Sequence, residues 1–139
     1  MALTGRRLYI WKTYVTPYIK LKECVETTGS EDYGKCCTCG KIKRKDEFDV
    51  GHFIPGHKNA YLFEEMGLHL QCRFCNRGTK KYGGDAGRPH EYTEYMNERY
   101  GREVTEEFRK LKWTPKKLTE LDLERIKNDY KQKIKELEE

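Results

Sequence analysis

Apolar residues along the chain recur with two different periods, and the change between them divides it into three stretches. Leu8, Trp11, Val15 and Ile19 follow one another at helical spacing, so Arg6 to Thr27 is expected as helix. Thr16 before Pro17 makes an N-cap and N1 pair at which that helix is expected to kink or restart. Thr27-Thr28-Gly29-Ser30 ends it. Between residues 36 and 85 the pattern changes: Phe48 to Ile54 and Leu68 to Gln71 are strand candidates, and Pro55, Gly56 and Asn59 supply a turn after the first. A short helix is expected to open at Cys75-Asn76-Arg77. Helical spacing returns from His90 to Tyr100 in Tyr92, Tyr95, Met96 and Tyr100, with Gly101 as the stop, and continues from Val104 to Trp113 through Phe108 and Leu111. Thr114-Pro115 is expected to start a long amphipathic helix through Leu118, Leu121, Ile126, Tyr130, Ile134 and Leu137. Its stripe is only approximately heptad, so packing on the rest of the chain is expected, with a homodimer seam as the alternative. The pattern predicts an α+β chain, one domain over 1–139, with a helical segment at 1–30, a core at 36–85 and C-terminal helices at 90–139.

Composition sharpens this picture. Hydrophobic residues are 36% of the 139 and charged residues 37%, which leaves little apolar surface for a core. A chain so built is expected to need a staple such as a metal. The net charge of +5 is unevenly spread. Residues 1–47 carry ten Lys/Arg against six Asp/Glu, 48–90 six against four, and 91–139 twelve against thirteen. The basic excess therefore lies with the cysteines, and a polyanion suits that part of the chain. A solvated surface with a mild basic bias gives the same numbers. No run of eighteen apolar residues predicts a membrane span, and MALTGRRLYIWK lacks the apolar core of a secretory signal. The six cysteines are therefore expected as thiols in a reducing compartment rather than as disulfides.

Cys36-x-x-Cys39 and Cys72-x-x-Cys75 are two knuckles. Together they supply the four sulfurs of a tetrahedral structural zinc site, whose binding energy becomes folding energy. Cys37-x-Cys39 is a poorer knuckle, and Cys24 and Cys37 are expected as ordinary small side chains. Residues 40–71 separate the knuckles, longer than a plain zinc ribbon, and they hold Asp49, His52, His57 and His69. The staple thus closes a loop that carries titratable groups. His52 has the chemistry to activate water near neutral pH, while Asp49 and Asn76 offer oxygen donors suited to a hard ion such as Mg²⁺. His52 is also consistent with an ordinary strand histidine, His69 with either phosphate contact or packing, and His57 and His90 with solvated loop positions.

The CTCG knuckle, the D-x-GH of Asp49 to His52, the LHLQC-x-x-CN run, the tyrosine-bearing helix ending in YG and the closing WT…IKNDYKQKIKEL helix together resemble the NinG/Rap recombination nucleases of lambdoid phages. The resemblance covers nearly the whole chain. It implies a Cys-ligated HNH, or ββα-metal, core. It also implies a divalent-metal endonuclease (Mg²⁺ or Mn²⁺) acting on Holliday junctions and related branched DNA in the cytoplasm of a bacterial host. Carried over residue by residue, His52 is the general base, Asn76 a ligand of the catalytic ion, and Cys36, Cys39, Cys72 and Cys75 the zinc ligands. Two positions depart from the wider HNH pattern. Gly51 stands where a metal-binding residue usually precedes the base, and the expectation is that a small Gly51 lets Asp49 reach the same ion. Gly67 stands where an Asn usually fixes the loop beside the base, leaving Asn59 or a backbone carbonyl to orient His52, with His69 as a helper at the phosphate.

Lys41, Lys43, Arg44 and Lys45 form a basic tract beside the first knuckle, and Arg73, Arg77, Lys80 and Lys81 another beside the second. Such tracts hold the phosphate backbone without reading bases. Two other functions remain open at this stage: a non-catalytic zinc-ribbon DNA-binding module, and an HNH enzyme that nicks ordinary duplex.

Overall fold

The computed structural model describes residues 3–56, 59–78 and 85–139. Its N-terminal helix runs without a break from α1 (Gly5–Ile10) through a π turn (Trp11–Val15) into α2 (Thr16–Thr28). Pro17 is the cause. It has no N–H for the carbonyl four residues back, and a wider turn absorbs the lost bond without ending the helix. Thr16 has helical angles (φ −59°, ψ −48°), so it is not the expected N-cap. Gly29 closes α2 in the left-handed region (φ 78°), its N–H donating to Val25 O at 2.9 Å.

Two hairpins follow, and the first was not legible in the apolar pattern. β1 (Tyr33–Lys35) pairs antiparallel with β2 (Ile42–Arg44), Gly34 opposite Lys43. The pair is short and mostly exposed, so it has no alternating stripe to read. Gly34 is needed there, because a Cβ would meet Leu70 Cδ1 at 2.5 Å and Cys24 Sγ at 2.9 Å. The second hairpin pairs β3 (Phe48–His52) with β4 (Leu68–Cys72), in register Phe48↔Cys72 through His52↔Leu68. β3 therefore stops two residues short of the expected Ile54. α3 (Arg73–Arg77) leaves directly from β4, completing a ββα unit.

The C-terminal stretch holds α4 (Pro89–Tyr100), α5 (Arg102–Arg109), a 3₁₀ turn (Lys110–Trp113) and α6 (Glu120–Glu138). The last helix starts at Thr119, not at Thr114. Thr119 has an acid three residues on: Asp122 N–H donates to Thr119 Oγ1 at 3.1 Å, and Thr119 N–H to Asp122 Oδ2 at 2.9 Å. Lys117 stands in that place after Thr114 and offers no acceptor.

Three buried clusters fill the fold. One joins Ile10, Val15 and Ile19 of the N-terminal helices to Leu62, Leu68, Leu123 and Tyr130. α6 thus turns its apolar face onto the chain's own helices, the same face a dimer seam would use. A second cluster surrounds the cysteines with Phe48 and Leu70, and a third joins Phe53 and Tyr61 to Tyr92, Met96 and Phe108. The architecture is α+β, with two small antiparallel sheets. No described helix is long and apolar enough to cross a membrane.

Candidate functional site

The first knuckle lies in the β1–β2 hairpin and the second at the β4–α3 junction. They bring Cys36, Cys39, Cys72 and Cys75 together, with all four sulfurs within 4.8 Å of one another. Sγ of Cys39 and Cys72 are 3.8 Å apart. Burial pushes the Cys36 thiol up, but hydrogen bonds from the Thr38 hydroxyl and from backbone amides, including Cys72 N–H at 3.3 Å, outweigh it and hold it at about 7. A thiolate favoured near neutrality among three further sulfurs is the donor set of a structural Zn²⁺ site. Cys24 and Cys37 lie outside this set.

On the free edge of β3 a cavity of about 440 Å³ is lined by Asp49, His52 and Asn76, together with Trp11, Thr16, Lys20 and Arg73. Phe48, Asp49, Val50 and His52 all reach it, although consecutive side chains point to opposite faces of a strand. Only an unpaired strand edge meets both faces. β4 has no such edge to offer: Leu70 N–H donates to Glu23 Oε1 at 2.8 Å, and Leu70 O accepts from Cys37 N–H at 2.9 Å.

His52 is held from two sides. Its Nε2 lies 3.0 Å from Leu62 O, and its ring stacks on Trp11 with centroids 4.9 Å apart. A carbonyl only accepts, so Nε2 carries the proton and Nδ1 is the basic nitrogen of the neutral ring. The carbonyl alternative to Asn59 is therefore the one realised. Trp11 reads in the sequence as one more core position, and its part here was missed. The π turn explains why. Across it Trp11 and Thr16 share a face five residues apart, a spacing that splays them in an α-helix, and Lys20 follows one α turn later. A proline inside a helical stripe is the one sequence signal of that phase change. Lys20 carries none. Burial lowers the pKa of its ammonium, Asp49 opposes the shift and Arg73 adds to it.

Asp49 is a hub. Asn76 Nδ2 donates to its Oδ2 at 2.9 Å, and Arg77 donates through Nε at 3.0 Å and a terminal nitrogen at 3.1 Å. Arg73 Nε stands 3.8 Å away. The structure thus brings together three of the four predicted catalytic positions and two predicted DNA-contacting arginines.

His69 is the fourth, and it does not join them. It is fully buried, with Nδ1 at 2.5 Å from Glu23 Oε2 and Nε2 at 2.8 Å from Met66 O, so it has no access to a phosphate. The two glycines also have reasons other than the expected ones. A Cβ on Gly51 would fall 2.2 Å from Gln71 Oε1, so Gly51 makes room for the Gln71 amide rather than for the Asp49 carboxylate. A Cβ on Gly67 would fall 2.7 Å from the Phe108 ring. The helix α5 packs where the usual Asn would stand.

Of the basic tracts, Arg73 and Arg77 flank the cavity. Lys41, Lys43, Arg44 and Lys45 lie on and beside β2, near the cysteine cluster, where Lys41 and Lys43 line a separate hollow with Phe74 and Arg88. Lys80, Lys81 and His57 lie outside the described residues.

Fold and cluster together define an α+β protein with a four-cysteine metal site and a ββα unit. The chain belongs to the family of the bacteriophage lambda NinG protein, whose family model matches residues 18–139. Trp11 and Thr16 precede the matched segment. No curated protein and no solved structure matches the chain.

Proposed function

We propose that this protein is a metal-dependent DNA endonuclease that cuts branched recombination intermediates such as Holliday junctions. It would be phage-encoded and act in the host cytoplasm. The observation that carries the reading is the convergence of His52, Asp49 and Asn76 on one basic cavity, with His52 anchored through Nε2 so that Nδ1 is its base. Family membership supports the phage recombination context. The ββα unit, with its base on the first strand and Asn76 on the helix, is the arrangement expected of an HNH core.

In this reading His52 Nδ1 takes a proton from water, and the hydroxide so formed attacks phosphorus. The phosphorus–oxygen bond to the departing strand breaks, and the leaving oxygen gains a proton. Lys20 and Arg73 stand where cations offset phosphate charge. Asp49 and Asn76 fit a divalent ion by chemistry, a carboxylate beside a carboxamide being hard oxygen donors, though Arg77 already holds the carboxylate and has to yield it. Mg²⁺ or Mn²⁺ bound there would neutralise charge on the phosphate and the leaving oxygen.

The test is cleavage of a labelled four-way junction, beside linear duplex of the same sequence, by zinc-loaded protein with Mg²⁺ or Mn²⁺. Junction-selective cleavage that falls by about 10²–10⁴ in His52→Ala, with binding retained, is expected. Equal cleavage by His52→Ala refutes the role of His52. Equal cutting of junction and duplex points to the nicking enzyme, and binding without cleavage to the zinc-ribbon module.

A further inference from the structure

Trp113 is 76% exposed, more than any other large apolar side chain among the described residues. It ends the 3₁₀ turn Lys110–Trp113, fixed by Thr114 N–H to Leu111 O at 3.2 Å and Thr114 Oγ1 to Lys110 O at 3.1 Å. Its local sequence is Lys110-Leu-Lys-Trp-Thr-Pro-Lys-Lys117, four cations and no acid, inside a stretch whose net charge is negative. The Lys112 ammonium lies 5.1 Å from the indole centroid. Beside the ring is a hollow of about 460 Å³, whose described lining includes Arg7, Lys112, Lys116 and Asn59 but no carboxylate. The nearby acids have their own partners: Arg6 pairs with Glu120 and Glu124, and Asp122 is held in the α6 capping box. An exposed indole alone is unremarkable, but one set among cations beside an acid-free hollow has the composition of a single-strand nucleic-acid platform.

The position of this platform links it to the cavity. Arg7 at the hollow and Trp11 at the cavity are four residues apart on one helix, roughly 6 Å along its axis. Asn59 and Ala60 line the hollow, and the next residue, Tyr61, has its ring 6.4 Å from that of His52.

We propose that Trp113 stacks on an unpaired nucleobase of the DNA substrate while Arg7, Lys112 and Lys116 hold the adjoining phosphates. This rests on the reading of the protein as a DNA enzyme and adds the element that favours branched DNA, where bases unpair beside the cut. A stacking platform tolerates any base and gives paired DNA nothing to stack.

The test uses the full, zinc-loaded chain and a short labelled oligothymidylate, with blunt duplex as the comparison. Trp113→Ala is expected to weaken oligothymidylate binding roughly tenfold, leave duplex binding within about twofold, and be rescued by Trp113→Phe. Trp11 and Trp113 are the chain's two tryptophans, so Trp11→Phe leaves Trp113 as the sole indole, and its fluorescence is expected to be quenched by oligothymidylate. Unchanged binding by Trp113→Ala, equal losses on duplex and single strand, or no quenching each overturns the proposal. His52→Ala is expected to bind and quench like the parent. Failure of the nuclease reading thus appears as absent or His52-independent cleavage, with the binding results unaffected.

Discussion

The Trp11 indole stacks on the His52 imidazole with planes 16° apart, so the N-terminal helix sets the attitude of the proposed base. Leu62 O fixes one ring nitrogen, and the indole face limits rotation about that bond. Trp11→Ala is expected to lower kcat on the order of tenfold or more with little change in KM, and Trp11→Phe to recover most of it. The pH–rate profile separates positioning from bulk stability, because the apparent pKa of the base should move in Trp11→Ala and return in Trp11→Phe.

Gly51 and Gln71 share one space. Gly51→Ala puts a methyl group against Gln71 Oε1 and is expected to cost about 1–3 kcal/mol. Shortening the obstacle should relieve it: in a Gln71→Ala background, Gly51→Ala is expected to cost less than about 1 kcal/mol. Urea unfolding of the four proteins gives the coupling, and additive losses would contradict the steric account.

Metal removal should unfold the cysteine-bearing half. The cluster ties β1–β2 to the start of α3, and the core around it is small. A strong chelator is expected to abolish the cooperative thermal transition, and zinc to restore it. Cys75→Ala should mimic the chelator. Cys37→Ser should keep one zinc per chain by elemental analysis, since Cys37 lies outside the cluster.

Arg77 competes for the Asp49 carboxylate through two hydrogen bonds. Arg77→Ala is expected to lower the Mn²⁺ concentration for half-maximal cleavage by roughly fivefold, the scale of a partly exposed ion pair. Asp49→Asn should raise it beyond reach. A Mn²⁺ titration of junction cleavage reads both.

Glu23 is almost fully buried in α2 and serves β4, accepting from Leu70 N–H, contacting His69 Nδ1 and lying 3.7 Å from Arg99. Glu23→Ala leaves those partners unmatched and is expected to cost about 3–5 kcal/mol by denaturant unfolding. Because the network lies away from the cavity, the Mn²⁺ requirement of the folded fraction should not move.

The sequence by itself determined what depends on neighbours along the chain. Two C-x-x-C turns specify a sulfur cluster because each knuckle is local, and only their meeting is tertiary. The helical stripes located α2, α4 and α5 for the same reason, since a 3.6-residue period is written within a few turns. The start of α6 was also locally encoded, in the Thr119–Asp122 spacing, but Thr114-Pro115 gave a competing signal. Tertiary structure decided the rest. The partner of His52 is a backbone carbonyl, which no side-chain pattern encodes, and its stacking partner comes from a helix whose phase a π turn had shifted. Gly51 and Gly67 read as missing ligands because the side chains that need their space, Gln71 and Phe108, come from another strand and another helix. His69 and Asp49 are both polar residues on the same hairpin. One meets Glu23, 46 residues away in the chain, and is buried, while the other meets α3 and opens onto the cavity. Packing between distant segments made that difference, and spacing along the chain carries no record of it.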